Sequence, residues 1–163
     1  MVVSNTSPVS NLAILGRLDL VREQFGRVLV PPAVGNELSA LEHPGGAEHI
    51  RQALASQWLL PVPLASPTVA RVLQEHLHPG EAEAIALALE RNADLLLIDE
   101  AEGREAATAA GLRVRGVLGI LRKARQTGHL QSLRFEIQRL RDQAHFFVAA
   151  DLEKQLLKAV GEE

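Results

Sequence analysis

The chain has 163 residues, 47% of them hydrophobic, and a formal net charge of −3. That is enough apolar sequence for one buried core, and it excludes a disordered chain. Without cysteine there is no disulfide, thiolate metal site or cysteine nucleophile, and no apolar run approaches the roughly 20 residues that span a bilayer.

Val2-Val3-Ser4 reads as a short buried strand, with Pro8 placed where a helix can begin and Val9, Leu12, Ala13 and Leu15 giving it an apolar face. Leu18 to Phe25 reads as a second short helix. Arg27 to Val30 is a strand stopped by Pro31-Pro32, and a helix follows to about Leu41 with Pro32 tolerated in its first turn. His43-Pro-Gly-Gly46 reads as a turn, Ala47 to Ser56 as helix, and Trp58-Leu-Leu60 as a short strand. Pro67 starts a helix running to about Leu77, and His78-Pro-Gly80 breaks it. Glu81 to Arg91 is helix, Asp94 to Ile98 a continuous apolar strand, and Gly103 to Ala110 a helix capped by Gly111. Leu112 to Arg115 reads as strand and Val117 to Thr127 as helix. Residues 131–143 form an amphipathic helix, Phe146 to Val148 a candidate strand, and the tail from Ala149 a helix.

Strands alternate with helices, and the LLLI run of residues 95–98 is apolar throughout. This pattern indicates a parallel sheet buried on both faces, a three-layer α/β/α domain. We expect one domain over 1–163, with about 131–163 as its helical C-terminal extension. Sites in such sheets form beyond the carboxyl ends of the strands. Asn5 follows the first strand, Asp99 ends the LLLI strand, and Glu37 lies on the helix after the second strand.

The phosphate-cradling patterns GxxxxGK[ST] and GxGxxG are absent, as are HExxH and GxSxG. Carboxylates are the remaining chemistry. Glu81 and Glu83 open a helix and project about 200° apart around it, so one of them faces a shared site, and we expect Glu81. Charge is unevenly distributed. Residues 1–111 carry 7 Lys/Arg and 14 Asp/Glu, whereas residues 112–145 carry 8 and 2. An acidic body beside a basic stretch fits a cation site next to a nucleic-acid surface; the alternative is that the basic residues are solvated helix faces.

Five segments in order resemble a PIN-domain protein: VVSNTSP, VLVPPAVGNEL, HPGEAEAIALAL, ADLLLIDEAEGREAA and GLRVRGVLGIL. They are most similar to the VapC-like toxin branch of the PIN nucleases, over about residues 1–130. The resemblance implies a metal-dependent nuclease that cuts single-stranded RNA with acids holding Mg²⁺ or Mn²⁺. By position, the acid cluster falls on Asn5, Glu37, Glu81 and Asp99, with Glu100 a further acidic position. Thr6 and Ser7 match the hydroxyl residues that steady the first loop, and Arg104 lies on the following helix. The family usually has Asp where this chain has Asn5, whose carbonyl can ligate Mg²⁺ but supplies no charge.

The roles the resemblance implies are these. Asp99 is the main direct ligand, and Asn5 ligates directly or orients a bound water. Glu37 and Glu81 hold metal waters or a second ion. Arg113, Arg115, Arg122, Lys123 and Arg125 are candidates to bind RNA phosphates. The scarcity of aromatics beside the acids argues against extensive base stacking. The implied partners are single-stranded RNA, a cognate antitoxin and a second copy in a homodimer, with the apolar residues of 46–77 as a candidate face. No membrane association is expected, and the cytoplasm is the default location. A different reading of the neutral Asn5 is a PIN fold that has lost cleavage and binds RNA or a partner.

Overall fold

Short aliphatic runs build the sheet. The structure is a computed structural model that describes residues 1–163. The strands are β1 (Val2–Ser4), β2 (Val28–Val30), β3 (Leu59–Pro61), β4 (Leu95–Leu97) and β5 (Val114–Arg115). They pair in the order β3-β2-β1-β4-β5, and every pair is parallel. Pro61 lacks a ladder donor and sits on the edge strand β3, where it is tolerated.

Ten helices flank the sheet: α1 (Thr6–Ile14), α2 (Asp19–Phe25), α3 (Pro32–Ser39), α4 (Pro44–Ala55), α5 (Thr68–Leu73), α6 (Pro79–Glu90), α7 (Ala101–Ala109), α8 (Val117–Gln126), α9 (Leu133–Ala144) and α10 (Ala150–Ala159). The two-residue period of a strand sorts side chains between two apolar layers. Val28, Val30 and Leu97 join a cluster with Leu12 of α1, Leu38 of α3, Leu121 of α8, Ile137 of α9 and Leu157 of α10. Val3, Leu29, Leu96 and Ile98 join a second cluster with Ile85 of α6 and Ala107 of α7. Helices therefore cover both faces, and the architecture is a three-layer α/β/α fold with a central parallel sheet. No helix is long and apolar enough to cross a membrane.

Several boundaries differ from the sequence expectation. The turn expected at 43–46 is the start of α4, because His43 Nδ1 accepts the Gly46 N–H at 2.9 Å and Pro44 fits the first helical position. In the same way α6 begins at Pro79, with His78 as its cap residue. Phe146 to Val148 is not a strand. Phe147 is 85% exposed, and the Val148 carbonyl accepts from Arg141 at 2.9 Å instead of pairing with the sheet. Glu162 fastens the chain end to α9 by accepting from Leu133 N at 2.6 Å and Ser132 Oγ at 2.9 Å.

Candidate functional site

The sheet order reverses between β1 and β4. The chain builds outward from β1 through β2 to β3, then returns to lay β4 on the other side of β1. The loops leaving these two adjacent strands part there, at the carboxyl edge where ligand sites form in open α/β sheets. Asn5 follows β1, donates its backbone N–H to Leu97 O at 2.8 Å, and is 3% exposed. Asp99 and Glu100 follow β4; Asp99 is partly buried and Glu100 is exposed. Glu37 reaches the edge from α3 and is exposed, and Glu81 comes from the first turn of α6, 6% exposed.

Three glycines let these side chains approach. A Cβ at Gly80 would stand 2.7 Å from Glu37 Oε1 and 3.3 Å from Asn5 Oδ1. One at Gly103 would stand 2.7 Å from Glu81 Oε2, and one at Gly116 would stand 2.5 Å from Asp99 Oδ1 and 2.9 Å from an Arg104 guanidinium nitrogen.

Hydrogen bonds give each acid a distinct setting. Asp99 Oδ1 accepts the Val117 N–H at 2.7 Å and so caps α8. Its Oδ2 accepts from Ser7 Oγ at 2.8 Å, and Ser7 Oγ in turn accepts from Asn11 Nδ2 at 3.0 Å. Thr6 Oγ1 donates to Glu37. Asn5 Nδ2 donates to Glu100 Oε2 at 3.0 Å. Glu83 points elsewhere: its Oε2 accepts the Ala33 N–H at 2.6 Å, at the start of α3. Asn11 was not among the sequence candidates. Its signal was there, four residues after Ser7 on one helix face, the spacing at which side chains meet.

Burial pushes the Asp99 carboxyl above its ordinary range, and the charge of Glu100 adds to this. The Val117 and Ser7 donors and Arg104 oppose it. Burial likewise raises Glu81, followed by the charge of Glu100. The imidazole and backbone N–H of His78 pull it down. Two carboxyls on one edge are thus held against their preference for the ionised form, a pattern concentrated at functional sites.

The basic candidates separate. Arg104 donates to Ile98 O at 3.1 Å and lies beside Asp99. Arg122 and Lys123 are exposed on α8 and make no ion pair. Arg115 lies over the Phe25 ring at 5.8 Å, so an aromatic distant in sequence comes to the segment that follows the acids. Arg125 pairs with Glu162 at 3.2 Å. Arg113 precedes β5, at the opposite edge of the sheet, near Asp94.

The DUF3368 family model, described as a PIN domain, matches residues 1–162. The chain belongs to the PIN-domain family. No curated protein and no solved structure matches it.

PIN domains are generally metal-dependent nucleases, and the donor set of this one suits such an ion. The side chains that could act as ligands at the edge, Asn5, Glu37, Glu81, Asp99 and Glu100, offer oxygen. Hard divalent cations take such donors. No three histidine, aspartate or glutamate side chains stand close enough to enclose an ion. Mg²⁺ needs no enclosure, because it keeps several waters and uses one or two carboxylates.

Proposed function

We propose that this PIN domain is a metal-dependent endoribonuclease that cuts single-stranded RNA. We further propose that it belongs to the VapC-like branch and acts in the cytoplasm as the toxin of a toxin–antitoxin pair. What supports the reading is the gathering of Asn5, Glu37, Glu81, Asp99 and Glu100 at one carboxyl edge, with Arg104 as the adjacent cation.

In this reading Asp99, Asn5, Glu37 and Glu81 hold Mg²⁺ or Mn²⁺, directly or through water. The bound ion supplies Lewis-acid stabilisation of phosphodiester charge and favours water as the nucleophile. The chain does the positioning. Ser7 and the Val117 N–H fix the Asp99 carboxylate, and Thr6 fixes Glu37. Arg104, Arg122 and Lys123 draw RNA phosphates to the edge, with Arg115 beside them.

An antitoxin would present Arg or Lys to the acids, a charge-assisted contact. A homodimer would use α5, where Val69 and Val72 are 44% and 62% exposed. The neutral Asn5 favours a second reading, a PIN domain that binds RNA or a partner without cutting. The test incubates purified protein with single-stranded RNA and Mg²⁺ or Mn²⁺ and compares Asp99→Asn. Cleavage that the substitution leaves unchanged rejects the nuclease reading. Salt-sensitive RNA binding without cleavage favours the second.

A further inference from the structure

The Asn5 side chain has two different ends, and each is used. Oδ1 faces the floor of the edge, where a Cβ at Gly80 would meet both it and Glu37 Oε1. Nδ2 donates to Glu100 Oε2 at 3.0 Å. An aspartate at position 5 has no donor for that contact and would set two carboxylates against each other, which disfavours ionising both. The neutral residue and the acid at 100 therefore fit one another.

Glu100 is well placed to act outward. It is exposed, and its Oε1 makes no hydrogen bond within the chain. It is also the largest charge influence on both Asp99 and Glu81, so it stands within electrostatic reach of both. We infer that Glu100 supplies the negative charge that position 5 lacks, and that the Asn5 amide holds it there for a divalent cation. The inference rests on the metal-nuclease reading above. It makes Glu100 a working member of the donor set, where the family resemblance gives only a neighbouring acid.

The test is calorimetric titration of Mn²⁺ into the full chain, with melting curves to show that each variant is folded. Glu100→Gln keeps a partner for Asn5 and removes the charge; it weakens Mn²⁺ binding by at least about tenfold. Adding Asn5→Asp to Glu100→Gln moves the charge to the other side of the same bond and returns affinity to about the wild-type value. Glu105→Gln removes an exposed charge on α7 that acts on neither Asp99 nor Glu81, and it changes affinity little. The inference is overturned if Glu100→Gln binds like wild type, if Glu105→Gln loses as much, or if the exchanged pair binds no better than Glu100→Gln. A wild-type chain that binds no Mn²⁺ overturns the metal-nuclease reading and this inference with it. The other three outcomes overturn the inference alone.

Discussion

Asp99 Oδ1 accepts the Val117 backbone N–H at 2.7 Å, so one carboxylate both ends β4 and caps α8. Its second oxygen accepts from Ser7. The residue proposed as the main cation ligand therefore also ties β4, α8 and α1 together. Asp99→Asn keeps an acceptor for the Val117 N–H but turns its NH₂ toward Ser7 Oγ, which must rotate its proton away and accept instead. Charge-assisted bonds give way to neutral ones, so the substitution lowers unfolding free energy by about 1 kcal/mol. Urea unfolding checks this, and unchanged stability would show that neither bond matters to the fold.

The glycines make a contrasting pair. At Gly80 the nearest atom in the way of a Cβ is the tip of an exposed Glu37, with Asn5 Oδ1 next at 3.3 Å. Gly80→Ala should keep stability and weaken Mn²⁺ binding by about tenfold or more through displacement of Glu37. At Gly116 the obstacle is Asp99 Oδ1, held by the α8 cap. Gly116→Ala should destabilise by about 1–3 kcal/mol, as overpacking does. Thermal melts and calorimetry on the two variants separate the effects.

Glu83 is the control for Glu81. Its carboxylate is taken up by the Ala33 N–H at the start of α3, and its charge is not among those acting on Asp99 or Glu81. Glu83→Ala should lower stability by about 0.5–2 kcal/mol, as loss of a helix N-terminal acceptor does, and leave Mn²⁺ affinity unchanged. Weakened Mn²⁺ binding in a folded Glu83→Ala would contradict the assignment.

Glu81 also sets a pH dependence. Its folded-state pKa lies above the ordinary value of 4.5, so the folded chain holds this proton more tightly than the unfolded chain. Stability from this group is greatest below 4.5 and declines as pH rises from there through the raised folded value. Gln cannot ionise, so Glu81→Gln should gain stability relative to wild type as pH rises through that window. Urea unfolding from pH 4 to 8 checks this; a relative loss with rising pH would contradict it.

The sequence was legible where side-chain period and strand ends decide the outcome. The parallel sheet followed from the aliphatic runs, and Asn5, Glu37, Glu81 and Asp99 sit at the carboxyl edge because strand direction puts them there. Tertiary pairing was not legible. Phe146 to Val148 has strand-like composition, but Arg141 and the chain reversal at His145 take it off the sheet. Arg125 reads as a free cation until Glu162 arrives from 37 residues away. Phe25 meets Arg115 only because α2 folds back beside α8. Nor does sequence spacing reveal that Asn5 and Glu100, 95 residues apart, share a hydrogen bond.

The most direct measurement is cleavage of an end-labelled single-stranded RNA by the wild-type chain as Mn²⁺ or Mg²⁺ is titrated, with excess EDTA as the zero point. Cleavage should rise with the metal, disappear in EDTA and fall to background in Asp99→Asn. Cleavage that persists in EDTA, or none with either metal, would contradict the metal-nuclease reading.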